Sequence, residues 1–279
     1  MSSVTHSSEL YATSIWEIQG KQQPLYLAGS VHLLKATDEI PETYNRVYQN
    51  SDLLVFEVEP DQLEKPQILG LMLKEGACAP GKTIGDYIGP SIKKRLEQRL
   101  SEKQIPFMMV QSFKPWMAAM TLTMLELQKM GARADLGVDR QYFDRARRDG
   151  KQTMSLETAE FQAKLLSSFS PKEQEKFLIY TLDYLGETEV MYQQIVKAWQ
   201  DGDEDTLSDF FSDSEAEYQG VYERLLFKRN RDWIKPIEKL LQGNQTAMVV
   251  VGVGHLVGDG SVIDLLKRRG YNYKKLSDL

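Results

Sequence analysis

Two histidines and two glutamates carry most of the chemistry this sequence offers. Leu25-Tyr26-Leu27-Ala28-Gly29-Ser30-Val31-His32 is an apolar run that ends in Gly-x-x-His, and Ala247-Met248-Val249-Val250-Val251-Gly252-Val253-Gly254-His255 repeats the pattern near the other end of the chain. Each reads as a buried strand, a glycine at the strand's end, and a histidine where the chain leaves the sheet. The chain has three histidines, and the third, His6, lies in a polar N-terminal segment. Glu57 and Glu157 also stand at the carboxyl ends of predicted strands, Asp52 to Glu59 and Lys151 to Leu156. In open α/β sheets that edge is where ligands bind. Two imidazoles and one or two carboxylates on one rim form a donor set for a divalent metal with an open coordination position. Singly, Glu57 reads as a solvated strand end, Glu157 as the cap of the next helix, and either histidine as a structural residue after a turn. The coincidence of all four is the signal.

The elements that must position them follow from periodicity. Leu10 to Gln19 and Leu25 to Ala28, joined by a polar turn at Gly20, read as a hairpin. Pro41 suits the first turn of a helix over Glu42 to Asn50. The strand ending at Glu57 is apolar on both faces, the pattern of an interior strand in a covered sheet. Helices are predicted for Asp61 to Glu75, Pro90 to Leu100 and Val138 to Asp149. Phe113, Met117, Met120, Met124 and Leu127 form a helical stripe, read as core packing, with a Met-lined binding surface as the alternative. From Thr158 to Leu241 the chain is nearly all helical, with breaks near Ser170-Pro171, Gly186 and Gly202. The segment Leu225 to Leu241 is amphipathic and carries Arg229, Arg231 and Trp233. A helix from Ser261 to Arg269 and a strand near Tyr271 to Leu276 close the chain. The architecture expected is α/β: a central mixed sheet formed from both chain ends, in one domain, with a large helical insertion over about residues 90 to 240.

Composition narrows the function. At 279 residues, with 42% hydrophobic and 27% charged residues, the chain reads as a globular protein with a sizeable core. A net charge of -6 argues against a nucleic-acid partner, and the basic cluster from Arg145 to Lys151 reads as a solvated helix end. Cys78, the single cysteine, precludes an internal disulfide and a Cys-x-x-Cys site, and reads as a small, partly buried residue. No stretch reaches the roughly 18 apolar residues of a membrane span. The polar Met1 to Leu10 lacks the apolar segment of a signal peptide, so the sequence as given predicts a cytoplasmic protein, or a periplasmic or secreted one if a signal peptide has been removed. The acidic runs Asp201 to Asp205 and Asp213 to Glu217 lack the order of a calcium loop and read as solvated surface. Gly252-Val253-Gly254-His255-Leu256-Val257-Gly258 looks like a dinucleotide turn, but too little chain remains after it for the βαβ units that such a fold needs. Ser30 is not in a Gly-x-Ser-x-Gly elbow.

The order of motifs resembles the TraB/GumN family, also called TraB/PrgY/GumN. The residues that carry the resemblance are Tyr26 to His32, Val55-Phe56-Glu57, Gly137-Val138-Asp139, Ser155-Leu156-Glu157-Thr158 with Gln162, Arg229-Asn230 and Val251 to Gly258. It covers Leu10 to Leu276, and the paired Gly-x-x-His motifs with the intervening Glu and Arg are its most specific marks. That family is similar to the Tiki proteins, metal-dependent proteases that act on Wnt, and more distantly to the erythromycin esterase and ChaN folds. Many bacterial members carry the name of polysaccharide biosynthesis protein GumN. The resemblance implies a metal-dependent hydrolase, a peptidase among the options. The chain departs from the family at Lys228, where the family often has Glu, and the sequence as given shows no apolar signal segment of the kind with which bacterial members often begin.

The residues and the resemblance together give one leading hypothesis. His32 and His255, with Glu57 as third ligand, hold a divalent ion of the Mn, Co or Zn kind, which polarises a carbonyl and acidifies a water. Glu157 serves as general base and Arg229 stabilises the developing oxyanion, with the roles of Glu57 and Glu157 open to exchange. The substrate is a peptide or small molecule, and the helical block walls the cleft. A second hypothesis keeps the fold but makes it a non-catalytic regulatory protein that captures a peptide or other ligand. In a third, the two histidines only fasten the chain ends together. Oligomeric state is left open by the sequence.

Overall fold

The structure is a computed structural model that describes residues 12–277, with backbone alone at 12, 212–217 and 219. The readings made at His6, Leu10 and Tyr11, and at the side chains of 213–217, lie outside the described residues. The centre of the fold is one six-stranded sheet. In chain order its strands are β1 (Ala12–Ile18), β2 (Leu25–Ser30), β3 (Leu53–Phe56), β4 (Gln152–Ser155), β5 (Ala247–Gly252) and β6 (Tyr273–Ser277). Their spatial order is β4-β3-β5-β2-β1-β6. The last strands of the chain thus join the first, as the apolar runs at both ends predict. β1 and β2 form the expected antiparallel hairpin, and β6 pairs antiparallel with the outer edge of β1. β4, β3, β5 and β2 are parallel neighbours, so their four carboxyl ends open on one rim.

β5 lies between β3 and β2 and is buried on both faces, which is why Met248-Val249-Val250-Val251 shows no alternation. In the parallel register Leu25 sits beside Ala247 and Ser30 beside Gly252. The two Gly-x-x-His motifs are therefore adjacent in space. A Cβ on Gly29 would lie 2.9 Å from the Val253 side chain, so glycine lets the two loops pack directly on each other.

The expected helices Glu42–Asn50 and Val138–Asp149 form with the predicted bounds, and Ser261 caps Val262–Arg268 through the Asp264 N–H. The predicted helix over Asp61 to Glu75 is instead two, Pro60–Leu63 and Pro66–Gly76. Pro66 forces Lys65 into the extended region and breaks the run. The region after Thr158 breaks where expected: Ser170 and Glu173 form a capping box at Pro171–Tyr184, and Gly202 closes Thr188–Asp201 in the left-handed region.

The core has two main parts. One surrounds the sheet, where Tyr44, Tyr48, Tyr142, Trp199 and Trp233 pack against β-strand aliphatics. The other lies among the helices Pro90–Glu102, Pro115–Lys129 and Pro171–Tyr184, built on Leu96, Leu100, Ala119, Leu122, Leu178 and Leu182. Of the stripe, Phe113 packs against the second part and Leu127 against the first, as its reading as core expects, whereas Met117, Met120 and Met124 belong to neither. Helix Pro115–Lys129 buries Trp116, Ala118, Ala119 and Leu122, whereas Met120 is 36% exposed, and Met120, Met124 and Leu127 line open clefts. Two apolar faces of one helix look alike in periodicity, and only the neighbours decide which is covered. Among the described residues no helix is long and apolar enough to cross a membrane.

Candidate active site on the sheet rim

The four predicted residues converge. Glu157, Glu57, His255 and His32 come after β4, β3, β5 and β2, which is also their order along the rim. The ladder continues past β3 and β4: the Leu156 N–H donates to the Phe56 carbonyl at 2.8 Å and the Glu157 N–H to the Glu57 carbonyl at 2.9 Å. That holds the two carboxylates side by side.

Arg229 lies between them and pairs with both. Its Nε donates to the Glu157 carboxylate at 2.9 Å, its Nη2 donates to Glu157 Oε2 at 2.9 Å and to Glu57 Oε2, and its Nη1 donates to the Leu225 carbonyl at 3.0 Å. Nη1 also stands 3.1 Å from His255 Nε2. All five guanidinium N–H groups are thereby engaged. The oxyanion role expected of Arg229 would require it to release one of them. A π-helical turn over Glu223–Phe227 immediately precedes the helix Lys228–Leu241 and puts the Leu225 carbonyl under the guanidinium. Trp233, one helical turn on, donates its indole N–H to Glu157 Oε1 at 2.9 Å. Gln162 Nε2 bridges Glu57 and Glu157 at 3.4 and 3.3 Å. Lys228 faces away and pairs with Asp232 on the exposed side of the helix, so Glu57 and Glu157 supply the carboxylates that Arg229 needs.

Asn230 sets the state of His255. Its amide nitrogen donates to the Gly260 carbonyl at 2.9 Å, which leaves Oδ1 as acceptor, 2.6 Å from His255 Nδ1. Nδ1 therefore carries the proton, and Nε2 presents its lone pair to Arg229, with Glu57 Oε1 3.8 Å away. Burial pushes the His255 pKa down to about 3; Glu57 opposes this, and Arg229 and His32 reinforce it. His255 is a neutral ring. Burial alone would raise the Glu57 pKa, but Arg229, His32 and the Gly252 N–H, which donates to Oε1 at 2.7 Å, hold it well below the usual carboxylate range. The Arg229 pKa is raised, because Glu57 and Glu157 outweigh the effect of its burial.

His32 is held from another direction. Its Nδ1 stands 3.1 Å from Asp139 Oδ1, in the first turn of Val138–Asp149. The Val138 N–H donates to the Val31 carbonyl, and a Cβ on Gly137 would lie 2.1 Å from the His32 carbonyl oxygen. Glycine at 137 is what allows this helix to start against the motif and deliver Asp139. Asp139 raises the His32 pKa to about 9, against the effect of desolvation. Residue types alone gave Asp139 and Asn230 no role; each sits directly after a feature that was visible, a glycine at a helix start and the site arginine.

Gly252 lies at the centre. A Cβ there would be 3.3 Å from Glu57 Oε1, 3.5 Å from His32 Nε2 and 3.6 Å from His255 Cδ2. In this arrangement no group of three His, Cys, Asp or Glu side chains among the described residues is close enough to hold a metal ion. The donor chemistry nonetheless suits one. Glu57 Oε1 and His255 Nε2 are 3.8 Å apart, near the roughly 3–4 Å between two ligands that share an ion. Each imidazole has its Nδ1 tied to an oxygen, the orienting contact that metal-binding histidines make. His32, whose side chain is 54% exposed, is the one with room to turn. The site opens on a cleft of about 430 Å³ lined by His32, Glu57, Asp139, Gln162, Arg140 and Met124 among others, with Glu157 behind it.

Comparisons agree with the motifs. The chain belongs to the TraB/PrgY/gumN family, whose model matches residues 14–275. It is 25% identical over 247 residues to the uncharacterized protein YbaP of Escherichia coli (strain K12), covering 87% of each chain. It is 23% identical over 315 residues to metalloprotease TIKI1 of Danio rerio, covering 92% of this chain and 62% of that one. A metalloprotease TIKI homolog of Amphimedon queenslandica is 36% identical over 67 residues, 23% of this chain and 13% of that one. No solved structure matches.

Proposed function

We propose that the protein is a metal-dependent hydrolase acting on peptides. What carries this reading is the convergence of His32 Nε2, Glu57 Oε1 and His255 around the missing side chain of Gly252, at the mouth of a cleft. The named metalloproteases among its relatives support it. His32, Glu57 and His255 are the residues that would hold a divalent ion, of the Mn, Co or Zn kind. The chemistry such an ion supplies is polarisation of a carbonyl and a lowered pKa for a water.

The chain's own residues do the rest. Asp139 and Asn230 hold the Nδ1 protons, so that both Nε2 atoms are free of hydrogen when His32 is neutral. Glu57 is the carboxylate that faces the cleft, which favours it over Glu157 as the third ligand. Glu157, tied to Arg229 and Trp233, fixes the position of the guanidinium that in turn fixes Glu57 and His255. One observation favours the alternative of a non-catalytic peptide-binding regulator: Arg229 Nη1 already occupies the lone pair of His255 Nε2, closing the donor set from behind.

Titration of the purified protein with Mn, Co and Zn separates these readings. The wild type is expected to bind one ion, and Gly252→Ala, which leaves every ligand in place but fills the cradle, to lose at least ~10-fold in affinity with its fold retained. His32→Ala is expected to lose binding as well. Equal binding by wild type and Gly252→Ala would sink the assignment. Binding should also strengthen by about tenfold for each unit that the pH rises, up to pH ~9, because His32 must release one proton.

A further inference from the structure

Beside the charged cleft lies a second pocket of about 370 Å³, and the two share His32 and Leu33 in their walls. We propose that this second pocket is the subsite for a large aromatic or aliphatic side chain of the substrate, adjacent to the bond that is cut; the assignment rests on the hydrolase reading above. A peptide laid across His32 has one residue over Glu57 and the next beside this pocket.

The walls define what it takes. Helix Pro115–Lys129 contributes Met120 and Leu127, helix Pro171–Tyr184 contributes Phe177 and Tyr180, and helix Thr188–Asp201 contributes Met191 and Ile195. Among the described residues no carboxylate, ammonium or guanidinium lines it. Its three threonines spend their hydroxyl protons on backbone carbonyls: Thr123 donates to Ala119 at 3.1 Å, Thr181 to Phe177 at 3.1 Å and Thr188 to Tyr184 at 3.3 Å. The Tyr192 hydroxyl is likewise committed, donating to Asp38 and accepting from the Lys35 N–H. A charged substrate group would lose its water there and, apart from the shared His32 and the hydroxyls of Tyr180 and Tyr184, find little to pair with. An aromatic or aliphatic one gains burial, and the methionines at the rim adapt to its shape. The volume lies within the range of small-ligand sites, ~300–1,000 Å³. The first cleft differs in carrying Glu64, Asp135, Asp139 and Arg140 among its apolar side chains, so the stricter apolar selection is expected at the second pocket.

The test uses the full chain, with Mn, Co or Zn added, and end-blocked alanine hexapeptides carrying Phe, Leu, Ala, Asp or Lys at one position, with cut sites mapped by mass spectrometry. Phe and Leu are expected to exceed Ala by at least ~10-fold in kcat/KM and to fall at one fixed position relative to the cut. Met120→Asp, on a partly exposed wall, is expected to reduce the Phe-to-Ala ratio by at least ~10-fold; Met191→Asp does the same from the facing helix should Met120→Asp fail to fold. Cleavage indifferent to the varied position, or a ratio unchanged in a folded wall variant, overturns the subsite and leaves the hydrolase intact. If nothing is cleaved, the hydrolase reading falls, and fluorescence titration with the labelled Phe and Asp peptides judges the pocket alone. Binding that prefers Phe and weakens at least ~10-fold in the wall variant supports it, and absent or unselective binding overturns it.

Discussion

The two Gly-x-x-His motifs end on neighbouring parallel strands, offset by one residue, yet they place their histidines in opposite electrostatic states. His255 is almost fully buried, hydrogen-bonded to a neutral amide and next to a guanidinium, and burial makes it neutral. His32 is half exposed, faces a carboxylate, and is pushed toward the protonated form. The difference lies in the helix that each motif meets as it leaves the sheet. After β5 the chain packs against the helix Lys228–Leu241, which brings Asn230, Arg229 and Trp233; after β2 it meets the start of Val138–Asp149, which brings Asp139. A shared motif fixes where a histidine stands. Its neighbours fix which proton it holds. One half of the site is a closed, rigid support, and the other is the open half that substrate can reach.

The largest effect should come from breaking the closed half. Arg229→Met leaves Glu57 and Glu157 buried without their counter-charge, and should cost about 3–5 kcal/mol in stability by urea denaturation. A loss below about 1 kcal/mol would mean that water or another cation replaces the guanidinium. Next in size is the asymmetry between the histidines. His255→Ala removes a buried ring from between Asn230 and Arg229 and should destabilise by about 2 kcal/mol, whereas His32→Ala, at a half-exposed position, should cost about 0.5 kcal/mol or less. Similar losses in both variants would erase the contrast and favour a simple fastening role.

The smallest effect is the most diagnostic. The folded-state pKa of His255 lies below its unfolded value, so its contribution is complete above pH ~6.5 and is lost as the pH falls from there toward about 3. His32 has the opposite sign. Its folded-state pKa lies above the unfolded value, so its contribution is complete below pH ~6.5 and is lost as the pH rises through about 9, reduced by solvent screening. Stability curves of wild type minus His255→Ala and wild type minus His32→Ala, measured on metal-free protein from pH 4 to 9, should slope in opposite directions. Curves of the same slope would contradict the neutral and protonated assignments.

Much of this site could be read from the chain. His32, Glu57, Glu157 and His255 were legible because each ends an apolar run, and a parallel sheet gathers such ends on one edge. Arg229 was marked by its motif and by an amphipathic helix. The use of its guanidinium was not legible, since five donors shared among Glu57, Glu157, His255 and Leu225 are a matter of separate segments meeting. The Met stripe shows a related limit: periodicity marks a helix face as apolar, not as covered, and while Phe113 and Leu127 pack against the cores, Met120 stays 36% exposed. Pro66 was a local signal, and the break it makes comes from its ring alone.

Local pattern is thus enough to set the elements and the edge on which chemistry gathers, because strand, turn and helix start are written in contacts between near neighbours and in the backbone limits of Gly and Pro. Only the assembled fold makes Gly252 the hollow at the centre, lets Asp139 and Asn230 set the two imidazoles in opposite states, and opens an apolar pocket beside His32. Those outcomes depend on desolvation and on charges brought within a few ångströms from distant parts of the chain, and no local pattern encodes either.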